Sequence, residues 1–195
     1  CGWSHVSGED VQALLISTVA VAIAEIGDKT QLLSLVLAAK YRRPVPICFG
    51  ILIATLANHA LAGWFGSMVA DWLTPELLKW IVAASFLAIG LWTLVPDKLD
   101  EEDGALRRHG SVLMATTAAF FQAEMGDKTQ VATVVLAAQY EPLWQVVAGT
   151  TVGMLLANVP VVWLGARFAD RLPLRATRLA AAALFIVLAF WIVLR

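Results

Sequence analysis

Charge is what this chain has least of. Asp, Glu, Lys and Arg make up 15% of its 195 residues, where a soluble domain of that size carries about a quarter. Apolar residues fill the deficit at 59% of the total, and the mean hydropathy reaches +0.75. A core cannot hide that much apolar surface, so a bilayer is the expected solvent for most of the chain. A net charge of −1 argues against an electrostatic nucleic-acid binder. Cysteine is equally scarce, and Cys1 and Cys48 form neither a disulfide framework nor a zinc spacing. The chain opens on Cys1 rather than methionine, which reads as a trimmed or partial chain. No cleavable signal stands ahead of the first span, which is then expected to act as its own insertion signal.

Six apolar segments lie near 10–39, 44–70, 76–95, 110–139, 142–168 and 173–194, each long enough for a spanning helix of about 20 residues. Proline marks the breaks, in "RRP" at 42–44, "TPE" at 74–76, "YEP" at 140–142 and "RLP" at 171–173, at or near a helix start in each case. The longest hydrophilic piece, "PDKLDEEDGALRRHG" at 96–110, reads as a loop between two halves. Segments 10–39 and 110–139 would be about 45 Å long if fully helical. The hydrocarbon core is about 30 Å thick, so these two must tilt, protrude or break. Gly27 and Gly126 are the expected break points.

The halves repeat each other. A shift of 99 residues lays "EIGDKTQLLSLVLAAKY" on "EMGDKTQVATVVLAAQY" with 11 of 17 positions identical. The same shift pairs Gly50 with Gly149, Trp64 with Trp163, Gly66 with Gly165, Asp71 with Asp170 and Trp92 with Trp191. Apolar helices resemble one another easily; glycines, tryptophans and acids in one register do not, so the chain is read as a duplication.

Three helices per repeat is an odd number, so the second half enters the membrane from the opposite side. Counting charge by loop puts Lys40, Arg42, Arg43, Lys98, Arg107, Arg108, Arg167, Arg171, Arg175 and Arg178 on one face and Lys79 and Arg195 on the other. That asymmetry predicts both termini outside and a cytoplasmic 96–109 linker. Trp72, Trp80, Trp144 and Trp191 then fall near the outer interface as an aromatic belt. The expected fold is all-α: a polytopic membrane protein of six transmembrane helices built as two inverted three-helix repeats, 10–95 and 110–194, forming one transmembrane domain.

Six charges contradict their setting. Glu25, Asp28, Lys29, Glu124, Asp127 and Lys128 lie mid-segment, where one charge costs on the order of 3 kcal/mol. Lysine–acid pairs that merely hold the bundle together would leave two acids over, and apolar packing would usually stabilise as well. On a continuous helix, with Glu25 and Asp28 about 60° apart and Lys29 about 40° beyond Glu25, one face carries all three. The second repeat supplies the same face, and inverted repeats place such sites near the midplane. Two Glu and two Asp make an all-oxygen cluster suited to calcium or manganese, with Thr30, Gln31, Thr129, Gln130, Gln122, Asn58 and Asn158 able to complete the shell. Crowded carboxylates also take up protons when empty, and a divalent ion would displace them. The lysines are read as neutralising acids in the ion-free state.

At this point the sequence resembles a known family. The duplicated E-x-G-D-[KR]-[ST] motif, one copy in each three-helix half, is the signature of the GDT family, also called the second calcium/cation antiporter family. The resemblance covers about residues 10 to 194 and implies exchange of Mn²⁺ or Ca²⁺ for protons, with Glu25, Asp28, Glu124 and Asp127 binding the cation. Thr30 and Thr129 match the hydroxyl position, and Lys29 and Lys128 the basic one. The chain looks like a compact bacterial version in the inner membrane, for which Mn²⁺ efflux is the expected task. No cofactor is implied, since the metal is substrate. The expected partners are the ion, protons and lipid, with homo-oligomers allowed for.

Other features weigh less. His59, opposite Asn158 under the shift, is a candidate proton relay or a device that softens the site towards manganese; a histidine bonded to a neighbouring helix is the plainer reading. Asp100, Glu101, Glu102 and Asp103 read better as a solvated loop than as a cation funnel. Ala54, Ala57, Gly63, Gly66, Gly149, Gly153 and Gly165 read as close-packing positions. Three other functions stay open. Asp28 and Asp127, each after a glycine, would suit an intramembrane aspartyl protease. An uncoupled channel, or an exporter of another solute such as an amino acid, would share the architecture.

Overall fold

A computed structural model describes residues 8–95, 111–164 and 174–194. The 96–109 linker, its acidic run, and Gly165 and Asp170 of the repeat register lie outside the described residues. The rest is helical, with no strand among the described residues. The helices are α1 Gly8–Glu25, α2 Lys29–Tyr41, α3 Pro44–Ala70, α4 Pro75–Thr93, α5 Val112–Glu124, α6 Lys128–Gln139, α7 Leu143–Leu164 and α8 Leu174–Leu194.

Each motif segment expected as one long helix is therefore split, as its excess length and its glycine foretold. Gly27 has φ 85° and Gly126 φ 75°, a left-handed backbone that only glycine adopts without strain. The portion from Val11 to Glu25 meets α2 at a bend of 69°. The single-helix geometry expected for Glu25, Asp28 and Lys29 does not survive this break, because a turn separates the glutamate from the other two. Elsewhere the proline punctuation holds. Pro44 and Pro75 open α3 and α4, and Thr74 caps α4 by accepting a hydrogen bond from Leu77 N at 3.4 Å.

Among the described residues, three helices are long and apolar enough to cross a membrane: α3 with 27 residues, α4 with 19 and α7 with 22. The bent α1–α2 pair makes a fourth span if it is counted as one.

Helices pack chiefly across the two halves. α1 lies along α7, while its counterpart α5 lies along α3, and α4 pairs with its own counterpart α8. Phe86 and Phe185, equivalent under the 99-residue shift, stack with ring centroids 6.0 Å apart. Equivalent residues of the two halves thus meet where α4 and α8 pack. Glycine permits the crossings at equivalent places: a Cβ on Gly50 would lie 2.6 Å from Thr116 Cβ, and one on Gly149 would lie 2.6 Å from Leu14 O.

Burial is inverted relative to a soluble protein. Phe49, Ile53, Leu56, Trp64 and Phe65 of α3 are exposed, whereas Glu25, Asp28, Glu124, Asp127, Lys128, Asn58, His59 and Asn158 are buried. Apolar atoms turned outward around a charged interior match a lipid solvent. Two apolar clusters flank the polar interior, one centred on Phe86, Leu136 and Phe185, the other on Leu33, Ile51 and Phe120.

Candidate cation site

The two breaks build the site. α1 ends on Glu25 and α2 begins after Asp28; α5 ends on Glu124 and α6 begins after Asp127. Each turn closes in the same way, with Asp28 N donating to Glu25 O at 3.0 Å and Asp127 N to Glu124 O at 3.1 Å. Gln31 Oε1 accepts from Gly27 N at 2.9 Å, and Gln130 Oε1 from Gly126 N at 2.6 Å. An aspartate at a helix N-cap ordinarily spends its carboxylate on the first-turn N–H groups. Neither Asp28 nor Asp127 makes a side-chain cap bond.

Those carboxylates face the other repeat. Lys128 Nζ lies 2.5 Å from Asp28 Oδ1, and Lys29 Nζ lies 4.0 Å from Asp127 Oδ1. The pairs cross, each lysine serving the aspartate of the opposite motif, and they are unequal: the Lys128 side chain is 2% exposed and that of Lys29 22%. The charges of Glu124, Asp127 and Lys128 all act on Glu25, so the two motifs share one electrostatic environment.

Each glutamate has a hydroxyl from its own motif and a polar neighbour from the other half. Thr30 donates to Glu25, and Asn158 Nδ2 donates to the same carboxylate at 2.9 Å. Thr129 Oγ1 donates to Glu124 at 3.0 Å and approaches Asp127 at 3.5 Å, while His59 Nε2 stands 3.5 Å from Glu124 Oε2. Gln31 Nε2 donates to Ala157 O at 3.1 Å, and Gln130 Nε2 to Asn58 Oδ1 at 2.6 Å. The expected residues thus surround the two breaks, except Gln122, whose side chain is exposed. His59 meets a neighbouring helix through the 3.5 Å approach of Nε2 to Glu124, although neither of its nitrogens has a hydrogen-bond partner among the described residues.

Sequence reasoning missed Ser34. It is fully buried, and its hydroxyl donates to Asn158 Oδ1 at 2.6 Å, fixing the amide so that its NH₂ meets Glu25. A signal was present: Ser34 aligns with Thr133, so both repeats keep a hydroxyl there.

Among the described residues, no three His, Cys, Asp or Glu side chains are grouped to hold a metal ion. The cations of this arrangement are lysines, and the two glutamates keep spare acceptors, Glu25 Oε2 and Glu124 Oε1, without hydrogen-bond partners. Four carboxylates against two ammonium groups leave two negative charges when all are ionised.

Interrupted helices that aim paired charges into an apolar bundle define a membrane transporter for a small charged solute. Residues 13–101 and 112–195 match the family described as "Divalent cation/proton antiporter GDT1". The chain belongs to that family. It is accordingly an integral membrane transporter rather than an enzyme, which sets aside the protease reading. Over 190 residues it is 53% identical to the "Putative manganese exporter" of Vibrio cholerae serotype O1, covering 97% of this chain and 92% of that protein. "GDT1-like protein 5" of Arabidopsis thaliana is 26% identical over 222 residues, covering 92% of this chain and 94% of that protein. "GDT1-like protein sll0615" of Synechocystis sp. is also 26% identical, over 189 residues. No solved structure gives a significant match.

Proposed function

We propose that this chain exports Mn²⁺ in exchange for protons, and that Glu25, Asp28, Glu124 and Asp127 form the ion site. The carrying observation is the crossed pairing of Lys128 with Asp28 and of Lys29 with Asp127. In that pairing the protein's own cations hold the aspartates that a metal would take. An incoming divalent ion replaces the lysines as partner of the aspartates and draws in the spare glutamate oxygens. Its two positive charges match the residual charge of the site, as do two protons, so one set of groups serves both directions of exchange. Thr30, Thr129 and Asn158 orient the carboxylates through the bonds above, while Gln31, Gln130 and Asn58 brace the backbone of the two breaks. The 53% identity to a protein named as a manganese exporter favours Mn²⁺ over Ca²⁺.

In this reading the chain has six spans as two inverted repeats, sits in a bacterial inner membrane with both termini outside, and keeps its 96–109 linker cytoplasmic. The reciprocal packing of the halves and the Phe86–Phe185 stack support the repeat symmetry. The test is purified protein in liposomes with a trapped pH dye, challenged in turn with Mn²⁺, Ca²⁺ and Mg²⁺. Mn²⁺-dependent proton movement is expected, and Glu25→Gln and Glu124→Gln should each abolish it. Cation flux without proton movement, or normal exchange by both variants, would overturn the reading.

A further inference from the structure

The two halves of the site differ at one pair of equivalent positions. Asn158 and His59 correspond under the 99-residue shift, and each approaches the motif glutamate of the opposite repeat. Asn158 is fully engaged. Its Nδ2 donates to Glu25 at 2.9 Å and to Met154 O at 3.1 Å, and its Oδ1 accepts from Ser34 at 2.6 Å. His59 is equally buried, yet among the described residues both Nδ1 and Nε2 lack hydrogen-bond partners, as does the nearby Glu124 Oε1. A buried polar group left unsatisfied costs on the order of 1–3 kcal/mol. Asn158 demonstrates that an amide can do the orienting task at this position, so orientation alone gives no reason for an imidazole.

We propose that His59 is a direct ligand of the transported ion through an imidazole nitrogen, and that it makes the Glu124 side of the site select a transition-metal divalent cation over calcium and magnesium. The inference rests on the ion site proposed above. The donors stand close without yet converging on one point: Thr129 bridges Glu124 and Asp127, and His59 Nε2 stands 3.5 Å from the Glu124 carboxylate, so an ion would draw them together. Calcium and magnesium take oxygen ligands almost exclusively. Helix-bundle sites that hold manganese mix carboxylates with histidine, and manganese, although the weakest binder of the divalent first-row series, still takes an imidazole that calcium and magnesium decline. An all-oxygen half beside Glu25 and a nitrogen-bearing half beside Glu124 therefore divide the work. The first supplies charge, and the second discriminates.

Pulsed electron paramagnetic resonance on the full chain in nanodiscs, loaded with Mn²⁺, reads this directly. The protein-bound Mn²⁺ signal is expected to carry ¹⁴N modulation from a coordinated imidazole, and His59→Asn or His59→Gln should remove it. In liposomes, His59→Asn should lower the Mn²⁺-over-Ca²⁺ preference by about tenfold, the effect of some 1.4 kcal/mol in relative affinity. Bound Mn²⁺ without nitrogen modulation would overturn the role of His59 while leaving the antiport reading intact. So would modulation that persists in both variants, or an unchanged ion preference. No bound Mn²⁺ at all would overturn both.

Discussion

At the scale of single residues, the lysines organise the interior, and they are not equivalent. Lys128 is buried against Asp28 at 2.5 Å, whereas Lys29 is partly exposed and stands 4.0 Å from Asp127. Removing one partner of a close buried pair leaves an uncompensated charge, at about 3–5 kcal/mol, whereas the longer, partly solvated contact of Lys29 couples more weakly. Lys128→Ala should therefore lower thermal stability in detergent far more than Lys29→Ala, and Asp28→Asn in the Lys128→Ala background should recover part of the loss. Equal effects of the two lysine variants would remove the distinction. Little of this could be read from the motif. Lysine beside aspartate in "GDK" suggests a local pair, but an N-cap and the first residue of the following helix diverge from one another. Each side chain finds its partner about 100 residues away.

At the scale of elements, the decisive feature is the broken helix. Gly126 has φ 75°, and an added Cβ would meet nothing within 4 Å. Gly126→Ala should therefore cost only the left-handed backbone penalty of about 1–2 kcal/mol. Gly149 is the reverse case: it sits inside the regular helix α7, where a Cβ would lie 2.6 Å from Leu14 O. Gly149→Val should push α1 off α7 and cost about 1–3 kcal/mol of overpacking. Since α1 carries Glu25, transport should fall with it. Unfolding midpoints and dye-coupled transport of the two variants separate backbone strain from helix displacement. The break was legible in the sequence, because a 30-residue segment with a central glycine and three charges cannot be a simple span. Its angular consequence was not legible: the helical-wheel argument placed Glu25 and Lys29 on one face by assuming that the helix runs on.

At the scale of the whole molecule, the halves interlock, each broken helix lying along the unbroken helix of the other half. This brings Asn158 to Glu25 and His59 to Glu124, so neither half holds a finished site. The site's charge is balanced by one divalent ion or by two protons, which predicts electroneutral exchange. A potassium–valinomycin potential imposed across the liposome should leave the rate of Mn²⁺-dependent proton movement unchanged. A rate that rises or falls steeply with potential would show that charge moves in each cycle.

The sequence by itself determined the solvent, the 99-residue register of the two halves and which charges lie inside apolar segments. Each of these is local or statistical. Apolar composition selects lipid, a 99-residue register records a duplication, and charges inside apolar segments mark a site that lipid could not otherwise tolerate. The tertiary structure alone decided the partnerships: Lys128 with Asp28, Lys29 with Asp127, Ser34 with Asn158, and His59 beside Glu124. Those depend on how closely α1 crosses α7 and α5 crosses α3. The crossings are fixed by glycine contacts, Gly149 against α1 and Gly50 against α5. A linear pattern states which residues face inward but carries no term for the distance between helices, and that distance chooses the partner.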